Sequence, residues 1–296
     1  MDKEQLAFLK AYTDLIDNRL AEFTAEKPEL YSVLFEAMEY SLSAGGKRIR
    51  PVLMLEFCRI CGGEPERYAD IACAIEMIHT FSLIHDDLPC MDDDDMRRGK
   101  PSCHKAFPEN IALLAGDALN TMPFEIITEN ALKGVISDRT AVMLTSVLSK
   151  AVGANGMIAG QVIDLMSEGK SIDITVLNEL QAKKTGALIE AACVMGVILA
   201  GAYDKIAPAA AYAQALGRAF QIVDDILDVT GSAEELGKPI GSDLEQNKST
   251  YVSELGLDRA YTEAQMLTGQ AVAFLGEFED SDLLRELTIM LLTRRN

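Results

Sequence analysis

The chain has 296 residues, 49% of them hydrophobic and 25% charged, with no tryptophan and only 6% aromatics. That is enough apolar material for a sizeable core, and its Ala, Leu, Ile and Met are helix-forming, helix-packing residues. Twenty-seven basic residues against 46 acidic ones leave a net charge of −19. This excludes nucleic acid as a general partner, because a phosphate backbone requires a basic face.

Apolar residues recur with helical rather than alternating spacing almost throughout. The pattern predicts helices over 3–24, 29–43, 51–61, 66–88, 109–131, 137–152, 156–167, 174–200, 205–229, 243–254, 258–276 and 280–293. The breaks fall at Pro28, Gly45-Gly46, Gly62-Gly63, Gly99-Lys100-Pro101, Gly153 and Gly237-Lys238-Pro239. Stretches such as Ile71 to Ile84 and Leu188 to Leu199 are apolar on more than one face, which places them inside a bundle. No linker, low-complexity tract or repeat interrupts the chain. The expectation is an all-α, single-domain layered bundle over 1–296, with a central cavity between long helices.

The N-terminus lacks a basic region followed by an apolar run, and the longest apolar run, Ala191 to Tyr203, is too short and too rich in Ala and Gly to span a bilayer. A cytoplasmic chain without membrane insertion is expected. Cysteines stand at 58, 61, 73, 90, 103 and 193; the one CxxC has no second pair at zinc-site spacing, so reduced, mostly buried thiols are expected.

Taken in chain order, the first concentration of charge is Gly45-Gly46-Lys47-Arg48-Ile49-Arg50-Pro51, three cations at a helix start, where free backbone donors also favour an anion. Next, an apolar helix runs into His85-Asp86-Asp87-Leu88-Pro89-Cys90-Met91-Asp92-Asp93-Asp94-Asp95, followed by Arg97-Arg98. A second apolar helix ends in Gln221-Ile222-Val223-Asp224-Asp225-Ile226-Leu227-Asp228, with Lys184-Thr185, Lys238 and Lys248 around it in sequence.

Acids at the C-terminal end of a helix face its partial negative charge and repel one another. Asp224, Asp225 and Asp228, three and four apart, lie near one helical face. Asp86 and Asp92 are out of register on a regular helix, but Pro89 must distort or end it there and could bring Asp92 back toward Asp86. Clusters of short carboxylates suit a hard divalent ion; magnesium takes one or two and completes its shell with water and phosphate. The reading is two acid clusters clamping magnesium around a diphosphate, beside a second phosphate site held directly by Lys and Arg. Other metal readings fail. An EF-hand begun at Asp94 would put Met96, Arg98 and Lys105 at ligand positions, and Glu76-x-x-His79 is a lone half of a di-iron pair.

The segments GGKRIRP (45–51), EMIHTFSLIHDDLPCMDDDDMRRGKPSCHK (76–105), GQVIDL (160–165), KTGALI (184–189), FQIVDDILD (220–228) and GKPIGSDLEQNKST (237–250) resemble, in order, the trans-isoprenyl diphosphate synthases, most closely bacterial farnesyl diphosphate synthases. The resemblance implies a homodimeric prenyltransferase using three magnesium ions. Asp86, Asp87 and Asp92, with Asp224, Asp225 and Asp228 opposite, would hold the metals. Gly46, Lys47, Arg50, His79 and Arg98 would bind isopentenyl diphosphate, and Arg97, Lys184, Lys238 and Lys248 the allylic diphosphate. Thr185 and Gln221 would sit near the developing cation, and Gln161 and Asp164 near the metals. Phe81, beside Ser82 and about 7.5 Å of helix below Asp86, would act as a floor to the growing tail. With the insertion Pro89-Cys90 it favours a farnesyl product. The alternatives are a geranylgeranyl diphosphate synthase, or a non-catalytic partner subunit, which would be expected to have lost acids that this chain keeps.

Overall fold

A computed structural model of the chain describes residues 1–230 and 249–292. Lys238 and Lys248, the break at Gly237-Lys238-Pro239 and the terminal 293–296 lie outside them.

The described residues are almost entirely helical. In order they form α1 (Lys3–Phe23), α2 (Ser32–Leu42), α3 (Ile49–Ile60), α4 (Ala69–Asp86), a hairpin of two-residue strands β1 (Met96–Arg97) and β2 (Lys100–Pro101), and α5 (Cys103–Ala106). Then come α6 (Glu109–Leu132), α7 (Asp138–Val152), α8 (Met157–Ser167), α9 (Ile174–Gln181) and α10 (Ala187–Leu199). The series closes with α11 (Ile206–Thr230), α12 (Tyr251–Leu255), α13 (Leu257–Phe274) and α14 (Asp282–Leu292).

The helix starts carry their own signals. Asp2 and Thr250 form capping boxes at α1 and α12, and Ser137 and Asp173 accept from the first-turn amides of α7 and α9. The apolar helices sit at the centre, as their all-round hydrophobicity requires. α4 packs along α6 and α3, while α10 is enclosed by α3, α7 and α11; α13 lies against the far side of α11. One continuous core runs through these elements, from Ile16 through Phe57 and Ile75 to Ala192 and Leu287.

The structure departs from the expected helices at informative places. Residues 29–31 and 65–68 are 3₁₀ turns, so α2 and α4 begin later than periodicity suggests. The expected helix 174–200 contains a π-helical stretch, Ala182–Gly186. Elsewhere the breaks hold: as Gly153 predicts, the apolar stretch 138–167 turns at Gly153–Gly156 and is two helices. Cys58, Cys73, Cys103 and Cys193 are buried free thiols, and burial pushes that of Cys58 up to about 12; Cys90 is exposed.

Candidate active site

The first acid cluster is built by the end of α4. The helix stops at Asp86, and beyond Pro89 the chain folds back so that the amide of Asp92 donates to the carbonyl of Asp86 at 2.9 Å. The amides of Met91 and Asp93 both donate to the carbonyl of Leu88, at 2.8 and 3.2 Å, and Asp93 takes a left-handed φ of 49°. The proline-broken turn therefore returns Asp92 to Asp86, as its sequence position suggests. Burial lifts the Asp86 carboxyl to about 6; Lys184 opposes the rise and Asp92 adds to it.

Asp87 goes elsewhere. It is 2% exposed. Nε of Arg97 donates to its Oδ1 at 2.9 Å, and Nη2 of Arg97 reaches the same carboxylate and also Oδ2 of Asp94 at 3.0 Å. Asp87, expected beside Asp86 as a metal ligand, is here paired with Arg97. Adjacent residues at a helix end point about 100° apart, and the second carboxylate is taken by the guanidinium of the hairpin. Arg97 is thereby aimed by two acids, a long-range pairing that spacing alone does not show.

Lys184 stands beside the first cluster. Its Nζ donates to Oδ2 of Asp164 at 2.6 Å. Burial works against its charge, but Asp164 and Asp86 outweigh it and raise the ammonium pKa. The π stretch carries both Lys184 and Thr185. Such a bulge widens the helix by one residue and is frequent at functional sites. α8 crosses it so closely that a Cβ on Gly160 would lie 2.2 Å from the backbone nitrogen of Lys184, which demands glycine there. Thr185 Oγ1 donates to Oε1 of Gln221 at 3.2 Å, linking this stretch to α11. Along α11, Gln221, Asp224, Asp225 and Asp228 fall at offsets of three, four and seven, one side of the helix. Asp224 and Asp225 are half-buried and Asp228 is buried. One oxygen of Asp225 accepts from the amide of Tyr251 at 2.6 Å, fixing the start of α12. The buried Nε2 of Gln161 has no protein partner.

The second site lies two helical turns down α4, about 10 Å from Asp86. His79 is surrounded by Arg50, Arg98, Arg48 and Arg97; burial and those charges push its imidazole well below the ordinary value. Burial lowers the Arg50 and Arg98 guanidinium pKa values. Glu76 opposes the change in both, while Arg98 depresses Arg50, and Arg48 and Arg97 depress Arg98. The Nε of Arg50 is buried without a partner. Arg98 donates to the carbonyl of Gly45, and its guanidinium would lie 2.8 Å from a Cβ on Gly46, whose φ of 134° also favours glycine. Lys47, next in the chain after Gly46, is exposed. A cluster of desolvated cations sharing one carboxylate is an anion site. The structure brings together Gly46, Arg50, His79 and Arg98, with Lys47 next to Gly46 in the chain.

Phe81 is 6% exposed and stacks edge-on against His85, with ring centres 5.2 Å apart. Ser82 donates its hydroxyl to the carbonyl of His79 at 2.9 Å.

The donor set suits magnesium. Among the described residues no three acidic, Cys or His side chains converge into a ready-made cage. What stands at the end of α4 is a pair of partly buried carboxylates repelling each other, the arrangement a magnesium ion shared with a ligand's phosphates would relieve.

Comparison with known proteins agrees with this geometry. The polyprenyl synthetase family matches residues 31–287. The chain is 47% identical over 258 residues to the heterodimeric geranylgeranyl pyrophosphate synthase large subunit 1, chloroplastic, of Arabidopsis thaliana, an alignment covering 86% of this chain and 69% of that one. It is 48% identical over 248 residues to the chloroplastic geranylgeranyl pyrophosphate synthase of Catharanthus roseus, covering 83% and 69%. The apo crystal structure of an FPP/GFPP synthase from Zymomonas mobilis superposes with a TM-score of 0.87 at 37% identity, covering 99% of this chain and 100% of that one. The sequence similarity thus runs strongly to geranylgeranyl synthases rather than singling out farnesyl ones. A bundle of this shape, with an acid pair and a cation cluster along one central helix, belongs to the polyprenyl synthetase family, and the chain is a trans-prenyltransferase of isoprenyl diphosphates.

Proposed function

We propose that the chain condenses isopentenyl diphosphate head to tail with allylic diphosphates and elongates them to the twenty-carbon geranylgeranyl product. The reaction is carried by one observation: α4 sets two sites of opposite electrostatic need about 10 Å apart on one face. The cations around His79 call for a bare diphosphate, and the acids at Asp86 and Asp92 call for a metal-bridged one. Product length rests on the names of the relatives, which at 47% and 48% identity make geranylgeranyl diphosphate. A second reading stops at fifteen carbons. Phe81, buried on α4 one to two turns below Asp86, favours it as a floor beneath the growing tail.

Asp86 and Asp92, with Asp224 and Asp225 and the more deeply placed Asp228, would hold magnesium. Once bound it supplies charge neutralisation on the departing diphosphate. Lys184 and Arg97 add fixed positive charge on the same allylic group, and Asp164 and Asp87 hold them in place. The oxygens of Thr185 and Gln221 lie close enough to each other to face a developing carbocation together, while the apolar walls of α4, α6 and α10 exclude water from it. The isopentenyl double bond, anchored by Lys47, Arg50, His79 and Arg98, attacks that cation, and the proton lost leaves with the released diphosphate. The active form is a homodimer in this proposal, checked by sedimentation.

Incubation with isopentenyl and dimethylallyl diphosphates and magnesium, then dephosphorylation, tests both readings. Geranylgeraniol supports the first reading, farnesol alone supports the second, and no prenyl alcohol contradicts the reaction itself.

A further inference from the structure

Arg48, the middle cation of GGKRIRP, does not face the diphosphate sites. It is 4% exposed and takes a left-handed backbone, φ 49° and ψ 33°, at the residue that caps α3. Its carbonyl accepts from the amide of Val52 at 3.1 Å, starting the helix. Its side chain turns inward and meets three other helices. Nε donates to Oδ1 of Asp17 on α1 at 2.8 Å, Nη1 to Oε1 of Glu76 on α4 at 2.8 Å, and Nη2 to the carbonyl of Leu42 at the end of α2 at 2.6 Å. A left-handed conformation at a residue with a Cβ persists only where the surroundings over-determine it. Here three acceptors on three helices match the planar fork of a guanidinium, which an ammonium cannot reproduce.

The consequence falls on the neighbours. With Arg48 drawn inward, Lys47 remains exposed before it in the chain, and Arg50 stands half-buried after it, beside His79 and Arg98. Glu76, almost fully buried, receives Arg48 directly and is also the carboxylate that opposes the loss of charge on Arg50 and Arg98. It lies one turn before His79 on α4.

We propose that Arg48, locked onto Glu76 and Asp17, is a positioning residue that sets the geometry of the isopentenyl diphosphate site without touching the substrate. This rests on the reading that Lys47, Arg50, His79 and Arg98 hold that substrate. The Arg48–Glu76 pair registers the 45–50 loop against α1, α2 and α4, so the cations are in place before the anion arrives.

The test is steady-state kinetics of Arg48→Lys with both substrates varied separately, alongside Lys47→Ala. Misplacing the loop raises KM for isopentenyl diphosphate on the order of tenfold, below the roughly hundredfold that a full ångström of displacement brings, while KM for the allylic diphosphate stays within about twofold. A role in stability alone would lower the melting temperature and leave both KM values of the folded fraction unchanged; that result, or a parallel rise in both, overturns the proposal. Lys47→Ala separates the two claims. If it fails to raise KM for isopentenyl diphosphate selectively, the assignment of the site is wrong. If it does so and Arg48→Lys does not, the positioning role alone is wrong. Should Arg48→Lys not fold, Asp17→Asn asks the same question from the half-exposed end of the network. A selective rise sustains the proposal, and no rise or an equal rise in both overturns it.

Discussion

The two ends of the active face of α4 are unbalanced in opposite directions. At Asp86 the surplus is negative: burial and Asp92 lift the carboxyl to about 6 even with Lys184 close by. Around His79 the surplus is positive: Arg50 and Arg98 lose part of their hold on a proton, and the imidazole is pushed well down. A structural ion pair would have cancelled such charges locally. Among the described residues the internal compensation is partial, Lys184 and Arg97 on one side and Glu76 on the other. Each region is left to be completed by a ligand of opposite sign, and the separation keeps the two reactants distinct.

The comparison breaks first at the acid end. Asp86→Asn is expected to lower kcat/KM on the order of a thousandfold, since it removes the charge on which the leaving group's neutralisation depends; the measurement is radiolabelled condensation at saturating magnesium. Chelation of divalent ions should abolish turnover of the unmutated protein, and readdition of magnesium should restore it.

At the cationic end, Arg50→Met should raise KM for isopentenyl diphosphate about thirtyfold, the lower end of what truncating one partner of a buried charged contact costs. Its magnesium dependence should not move. Asp87→Asn sharpens the boundary between the regions. If Asp87 serves Arg97, KM for the allylic diphosphate rises about tenfold, while the magnesium concentration for half-maximal activity is unchanged. A shift in the magnesium requirement would instead make Asp87 a ligand.

Phe81→Ala addresses product length. Emptying a buried phenyl site costs about 3–5 kcal/mol of stability, and the product should lengthen by at least one isoprene unit if the ring is the floor; an unchanged product distribution counts against that role. The smallest effect is on pH. The His79 imidazole is neutral in the folded protein, whereas an unfolded histidine takes a proton near pH 6.5. Lowering the pH through that value favours the unfolded chain, so the His79 contribution to stability declines as pH falls from 7.5 to 5.5. His79→Gln should flatten that slope in urea melts.

Much of this was legible because it is local. Gly and Pro breaks with helical periodicity located most helices to within a few residues, and Pro89 explained how Asp92 returns to Asp86. What escaped depends on contacts made across the fold. Asp87 is adjacent to Asp86 and chemically identical, yet Arg97, ten residues on, takes it. Residues 182–186 carry no signal of a π stretch beyond an ordinary helix pattern; close passage of α8 at Gly160 accompanies it. Arg48 reads as one more surface cation in a basic run, and only the positions of Asp17, Leu42 and Glu76 on three other helices turn it inward.

The central claim is that the two sites differ in what completes them. Titration calorimetry with isopentenyl diphosphate, and separately with an unreactive allylic diphosphate analogue, each with magnesium and with a chelator, tests it directly. The account predicts that isopentenyl diphosphate binds equally well in both conditions and that binding of the allylic analogue is lost with the chelator. Binding of the analogue without magnesium, or a magnesium requirement shared by both ligands, would contradict it.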